Sequence, residues 1–382
     1  MKRKNGFTLI EVLTVIIVLA IIALIAVPVI MGLVGKAQKS AFTDSAYALV
    51  KAGDLLYSTN EMEGAILERK TFTFPNDTED LDVKGELPTG GEMKVYENGE
   101  IAMAVTNGKY CATKKYGSKE VVVTEDTENC ELPKLELGDI IYFDPTLGEK
   151  GMLCTEGDYL EKNSKTGHKE GCMRWYVYNS DGNESKLILD HNTTGKFAPD
   201  TDISVELLMQ KLSEDTKNWK AEADLIEIDE LLNLIPWYKN KEYTDINNWY
   251  NEYINEYQER YKTVVGDGRL DGRLDGRNEK LSSFTPIQRV EFFDELLETM
   301  YKNHSNLLVP KFFQIVPSDV CTDIDLIPNT VLNNCTEIAY WTKSVYDSET
   351  IWMVADILSY PIVPVYKTEK KVGIRPIITI AQ

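Results

Sequence analysis

Residues 1–35 read MKRKNGFTLIEVLTVIIVLAIIALIAVPVIMGLVG, and this opening decides how the rest of the chain is understood. Lys2, Arg3 and Lys4 make a short basic leader. From Phe7 to Val34 the chain is apolar apart from Thr8, Glu11, Thr14 and Gly32. As a helix rising 1.5 Å per residue, that block spans about 40 Å, enough to cross a bilayer. Cationic flanks stay on the cytoplasmic side, so the remainder is expected outside. The block is longer than the apolar core of an ordinary signal peptide, and no A-x-A-like site follows it. It also carries a carboxylate, Glu11. An acid at the centre of a membrane helix costs about 2.5–3.5 kcal/mol, less toward the ends, and such residues are usually there for a reason.

Beyond Lys36 the pattern changes. Phe42, Ala46, Leu49, Val50, Leu56 and Tyr57 recur near helical spacing, while Lys36, Lys39, Asp44, Lys51 and Asp54 take the other side. That is the composition of a helix whose first half sits in lipid and whose second half packs on a globular head.

The segment K-N-G-F-T-L-I-E-V-L, residues 4–13, resembles the prepilin signature of type IV pilins and of the pseudopilins of type II secretion and competence systems. The resemblance covers about the first thirty residues. It implies cleavage between Gly6 and Phe7 by a prepilin peptidase and N-methylation of Phe7. It further implies that Glu11 pairs with the free amine of a neighbouring subunit as a filament assembles, and that Pro28 loosens the helix by removing one N–H. The partners it implies are the peptidase/methylase, other pilin subunits, and a lipid bilayer before assembly.

The remaining sequence reads as α+β. Residues 1–6 are a leader, 7–57 the helix (7–35 spanning the membrane), 58–136 a pilin-like head of helix and antiparallel sheet, and 137–382 a larger mixed surface domain. A chain of 382 residues is long enough for two or more domains. In the head, strands are expected at 71–74, 101–105 and 121–124, separated by Gly, Asn and Pro clusters. In the second domain they are expected at 139–143, 175–178 and 186–189, with helices at 207–218 and 225–234. Trp249, Tyr253 and Tyr257 fall at helical spacing and read as a packed aromatic face rather than a ligand platform. The tandem DGRLDGRLDGRN of residues 267–278 lacks the acid spacing of calcium loops and reads as an expanded loop. The tail segments YWTKS (340–344), IWMV (351–354) and VGIRPIITI (372–380) resemble the end of C-type-lectin-like or formylglycine-enzyme-like bacterial surface domains. That resemblance implies a structural Arg375 holding a buried carboxylate.

Six cysteines, Cys111, Cys130, Cys154, Cys172, Cys321 and Cys335, allow 15 connectivities. Pairing of sequence neighbours closes three short loops. Zinc held by Cys154, His168 and Cys172 is the rival reading, but no second tight ligand pair accompanies them. An exported location favours disulfides. A net charge of -20 repels nucleic acid. With no phosphate-binding glycine loop, G-x-S-x-G or H-E-x-x-H, an enzyme is not expected, nor are a metal or cofactor. Residues 190–194, Asp-His-Asn-Thr-Thr, are the most suggestive polar cluster and read as a capped turn after a strand. The expected role is a processed, filament-forming subunit at the cell surface, minor and large-headed, with a possible adhesive function toward a surface or glycan ligand. The alternatives are a pseudopilin and a membrane-anchored adhesin.

Overall fold

A computed structural model describes residues 9–63, 69–76, 78–83, 85–159, 169–181, 184–195, 197, 199–241, 245–265, 298–313, 339–354, 362–368 and 372–381. Two compact units divide the chain, Met1–Pro133 and Lys134–Gln382.

The first unit is built on one helix, α1, Leu9–Met62. Its lower half is rich in Ile and Val, mediocre helix formers in water. In an apolar medium the helix is the form in which one segment satisfies all its own backbone groups. Pro28 lies inside the helix without ending it. The helix runs on past the expected end at residue 57. Ser58, Thr59 and Asn60 look like a loop signal, but their side chains donate to the carbonyls of Asp54, Leu55 and Leu56 within the same helix.

Phe42, Ala46, Leu49, Ala52 and Gly53 form the buried stripe of α1, spaced by three and four residues and then closed by an adjacent pair. It packs on a five-stranded antiparallel sheet in chain order, β1 (Lys70–Thr73), β2 (Gly90–Val95), β3 (Ile101–Thr106), β4 (Cys111–Lys114) and β5 (Val122–Thr124). Phe72, Met93, Val95, Ile101, Met103 and Val105 supply the facing side chains. At Gly53 the helix packs tightly on the sheet: a Cβ there would lie 2.6 Å from Cδ1 of Ile101 and 3.2 Å from Cγ2 of Val95. A mid-helix glycine costs about 1 kcal/mol in helix propensity and here permits that approach. Cys111 and Cys130 are bonded, tying the start of β4 to the chain beyond β5.

The second unit contains a six-stranded antiparallel sheet in the order β10-β14-β9-β8-β6-β7. These are β6 (Ile140–Asp144), β7 (Met152–Leu153), β8 (Met173–Ser180), β9 (Glu184–Leu189), β10 (Ala223–Asp224) and β14 (Ile377–Ala381). A three-stranded antiparallel sheet holds β11 (Tyr340–Val345), β12 (Thr350–Val354) and β13 (Ile362–Tyr366). The helices are α2 (Val205–Asp215), α3 (Ile228–Leu232), α4 (Pro236–Lys239) and α5 (Ile246–Val265), and residues 298–304 are also helical. Ser204 caps α2 through its hydroxyl, which accepts from Leu207 N–H at 3.2 Å.

The expected helix over 225–234 shortens to α3. Leu225 and Ile226 are fully buried, and the carbonyl of Ile226 accepts from Lys343 N–H instead of a helical partner. The aromatic stripe of α5 is core: Trp249, Tyr253 and Tyr257 are 0% exposed. Cys154 and Cys172 are bonded, which leaves neither thiolate for zinc. His168, the 267–278 repeat, Cys321 and Cys335 lie outside the described residues.

Candidate functional site

The candidate site is the amino-terminal half of α1. Gly6 and Phe7 precede the described residues, which begin at Leu9. Glu11 lies two residues after the first described residue of α1, within the apolar run. Around it, Leu9, Ile10, Val12, Leu13 and Val15 are all at least 47% exposed, and the bare apolar surface continues to Val34. A soluble protein does not present such a surface to water, so this half requires an apolar surrounding. Thr14 hides its hydroxyl by donating to the carbonyl of Ile10 at 2.8 Å.

The head grips the helix where the apolar run ends. The turn between β3 and β4, Asn107-Gly108-Lys109-Tyr110, is folded by Asn107, whose side-chain oxygen accepts from the N–H groups of Lys109 and Tyr110. Tyr110 then donates its hydroxyl to the carbonyl of Gly35 at 3.1 Å, and its ring stacks beside Phe42 at 6.3 Å. Lys109 donates to the side-chain oxygen of Gln38 at 2.5 Å. The anchoring of the head to residues 35–42 therefore combines polar clasp and apolar stripe. The Asn-Gly turn is a local hairpin signal, but its grip on the helix was not legible in the sequence, because the partners Gly35 and Gln38 lie more than seventy positions earlier.

In the second unit, residues 190–194 are expected as a capped turn, but residues 190–193 are buried. His191 and Asn192 are 0% exposed. Thr193 N–H donates to Ile374, and Ile374 N–H to Thr194, so the segment pairs as backbone with the end of the chain. Asp190 accepts from Arg174 at 3.1 Å and from Tyr159 at 3.2 Å, and it also pairs with Nδ1 of His191. Asp215, at the end of α2, accepts from Lys169 at 2.6 Å, Lys211 at 3.0 Å, Thr193 at 3.0 Å and Thr194 at 2.6 Å. Burial raises its pKa, and the hydrogen bonds from Lys169, Thr194 and Lys211 together outweigh burial, so the carboxyl stays below its usual range. These carboxylates are neutralised by donors and hold elements together. Among the described residues no group of three or more His, Cys, Asp or Glu side chains is placed to share a metal ion.

Arg375 is likewise structural, but its partners differ from those expected. It is 0% exposed and holds no carboxylate among the described residues. Its guanidinium donates to three main-chain carbonyls, Leu189 at 2.5 Å, Phe313 at 2.6 Å and Phe312 at 2.8 Å, and lies over the ring of Tyr340 at 5.0 Å. The planar fork ties together two chain segments, the end of β9 at Leu189 and the adjacent pair Phe312 and Phe313. Trp341 and Trp352, on the tail strands, are both 0% exposed. Trp352 packs among Trp249, Tyr250 and Tyr346 at 5.0–5.9 Å.

Compared with known families, residues 1–27 match the prokaryotic N-terminal methylation motif. No curated protein and no solved structure matches the chain. The chain thus carries a type IV pilin-like prepilin signature, that of a pilin or pseudopilin precursor. The signature implies processing by a prepilin peptidase and assembly with other pilins. Together with the apolar helix, it fits a membrane-anchored surface protein.

Proposed function

We propose that this chain is cut after Gly6, methylated at Phe7, and incorporated through α1 as a minor, large-headed subunit of a type IV pilus-like filament. The observation that carries the reading is the continuity of α1. A bare apolar half, headed by the methylation motif, runs without a break into a half buried in the first unit. Such a helix suits two successive surroundings, lipid and then the apolar core of a filament. In the second of these, Glu11 meets the amine of a neighbouring Phe7 and sets axial register.

On this reading the unit Lys134–Gln382 is cargo displayed by the filament, with adhesion as its role and no catalysis of its own. Its size supports a minor position, since a bulky head is hard to repeat along a fibre. Its ligand contacts belong to loops, because the aromatic side chains of β11 and β12 are spent in the core. The test is amino-terminal mass analysis of the mature protein. The expected first residue is N-methylated Phe7, whereas a mature start beyond residue 20 overturns the reading.

A further inference from the structure

We propose that Lys36, Lys39 and Lys109 form a cationic collar that binds the phosphate headgroups of anionic phospholipids at the outer face of the membrane. This inference rests on the membrane-anchored reading of α1 and adds a headgroup site to it.

Position comes first. The apolar block ends at Val34. At 1.5 Å per residue, Lys36 and Lys39 stand about 3 and 8 Å beyond it. The headgroup layer on each side of a bilayer is about 5–8 Å deep, so both amines fall within it. Being three residues apart, they share one side of the helix. Lys109 comes from the head, but the contacts of its turn fix it at the same level. Tyr110 bonds the carbonyl of Gly35, and Lys109 itself bonds Gln38. A hairpin turn some seventy residues away in sequence is thus pinned beside the helix, one turn from where it leaves the apolar layer.

The chain carries 61 acidic and 41 basic side chains, yet from Gly35 to Thr43 α1 has two lysines and no acid. All three amines are exposed, and among the described residues none has a carboxylate within ion-pair distance. Three unneutralised cations at one level of an otherwise acidic protein complement anionic lipid. Each lysine near such a surface contributes about 1 kcal/mol.

The leader gives the collar its consequence. Before cleavage, Lys2, Arg3 and Lys4 hold the inner end of the helix. Once the leader is removed at Gly6, the inner end keeps one amine and Glu11, whose charges cancel. The outer collar is then a cationic flank of the helix with no cationic counterpart in the mature inner sequence, so lipid contact after processing is centred on the outer leaflet.

The experiment is a titration of the purified full chain, in neutral detergent, with dioleoyl phosphatidylglycerol or dioleoyl phosphatidylcholine, read by native mass spectrometry. Phosphatidylglycerol is expected to bind preferentially, and the preference to fade as salt is raised. Replacing all three lysines by Gln weakens phosphatidylglycerol binding about a hundredfold, roughly fivefold per lysine. Replacing all three by Arg preserves it. Circular dichroism of both variants checks that the fold is retained. Equal binding of the two lipids by the native chain, or of phosphatidylglycerol by the native and Gln chains, overturns the proposal. So does a Gln variant that binds lipid normally but fails to enter filaments, since the collar would then contact a neighbouring subunit. The titration needs no filament, so its failure leaves the prepilin reading intact, and a mature start other than Phe7 does not alter the titration.

Discussion

In the first unit the strands lie in the sheet in the order in which they occur in the chain, β1 to β5. In the second, the last strand of the protein, β14, sits inside the sheet between β10 and β9. The first unit closes by local hairpins onto a helix already made. The second cannot complete its sheet until residues 377–381 pair with β9 and β10. Segment 372–381 supplies β14 and much more. Phe197 N–H donates to the carbonyl of Val372, Gly373 exchanges bonds with Ala339 and Trp341, Ile374 pairs with Thr193 and Thr194, and Arg375 gathers Leu189, Phe312 and Phe313. Topology thus separates a first unit closed by local hairpins from a second unit whose sheet depends on β14, since non-local pairings need long loops closed first.

Deleting residues 372–382 is the strongest test of that contrast. The second unit is expected to lose its fold entirely, while the first keeps its own. Limited proteolysis followed by mass analysis should leave a resistant fragment ending near Pro133 and digest the remainder. Survival of both units would show that β14 is dispensable and end the distinction.

Alkali gives the next largest effect. In the second unit, burial raises the phenol of Tyr340 to about 12, with Arg375 working against it. Tyr178, Tyr253 and Tyr301 are raised too, chiefly by burial, and Tyr178 further by Glu230. A group whose pKa is raised on folding contributes stability that is complete below its unfolded value, near 10, and lost as pH climbs through the folded value. The second unit should therefore destabilise steeply between about pH 10 and 12. The first unit has raised phenols at Tyr96 and Tyr116, but also Lys114, whose pKa is lowered by burial against the pull of Glu100 and Asp54. The unfolded chain binds the Lys114 proton where the folded unit does not, so stability rises with pH over that window and opposes the loss from the phenols. Hydrogen exchange resolved by unit, from pH 9 to 12, should show the second unit opening first.

How much of this was legible depended on the distance over which a signal acts. The helix, its apolar and amphipathic halves, and the methylation motif are local patterns, and they carry both the α+β class and the candidate site. β2 was not anticipated because Gly90 and Gly91 open it. Gly91 has φ +101°, and a Cβ there would lie 2.1 Å from the carbonyl oxygen of Ala104, so a turn-like residue is required inside a strand. The partners of Arg375 lie 62, 63 and 186 positions away, and nothing near it distinguishes a carbonyl-binding arginine from a carboxylate-binding one. The polar segment 190–194 has the composition of a turn and becomes buried backbone only because residue 374 returns to pair with it.

Arg375 offers a single-residue version of the deletion. Arg375→Leu removes five donors and leaves the carbonyls of Leu189 and Phe312 short of partners, while that of Phe313 keeps the Tyr340 hydroxyl; the loss is expected to cost about 2–3 kcal/mol. Arg375→Lys keeps the charge but loses the fork, and should recover only part of that. Denaturant melts followed by Trp fluorescence report on the second unit, because all six tryptophans, Trp175, Trp219, Trp237, Trp249, Trp341 and Trp352, lie in it. A loss below 1 kcal/mol for Arg375→Leu would mean that the terminus is held by β14 pairing alone.

The smallest effect falls in the first unit and tests whether its stability rests on the close approach of helix to sheet. At Gly53 the nearest atoms to an added Cβ are the tips of Ile101 and Val95, both flexible side chains rather than backbone. A methyl group can be admitted if Ile101 changes rotamer, and alanine recovers about 1 kcal/mol of helix propensity. Gly53→Ala is therefore expected to change stability by less than about 1 kcal/mol. Gly53→Leu forces several more carbons into the same gap, pushes α1 off β3, and should cost about 1–3 kcal/mol. The measurement is the unfolding midpoint of the first unit, followed by exchange of the β3 amides, with the amides of the second unit as the internal reference. If Gly53→Leu were as mild as Gly53→Ala, the helix would be held at Phe42, Ala46 and Leu49 and by the Tyr110 clasp, and the contact at Gly53 would be incidental.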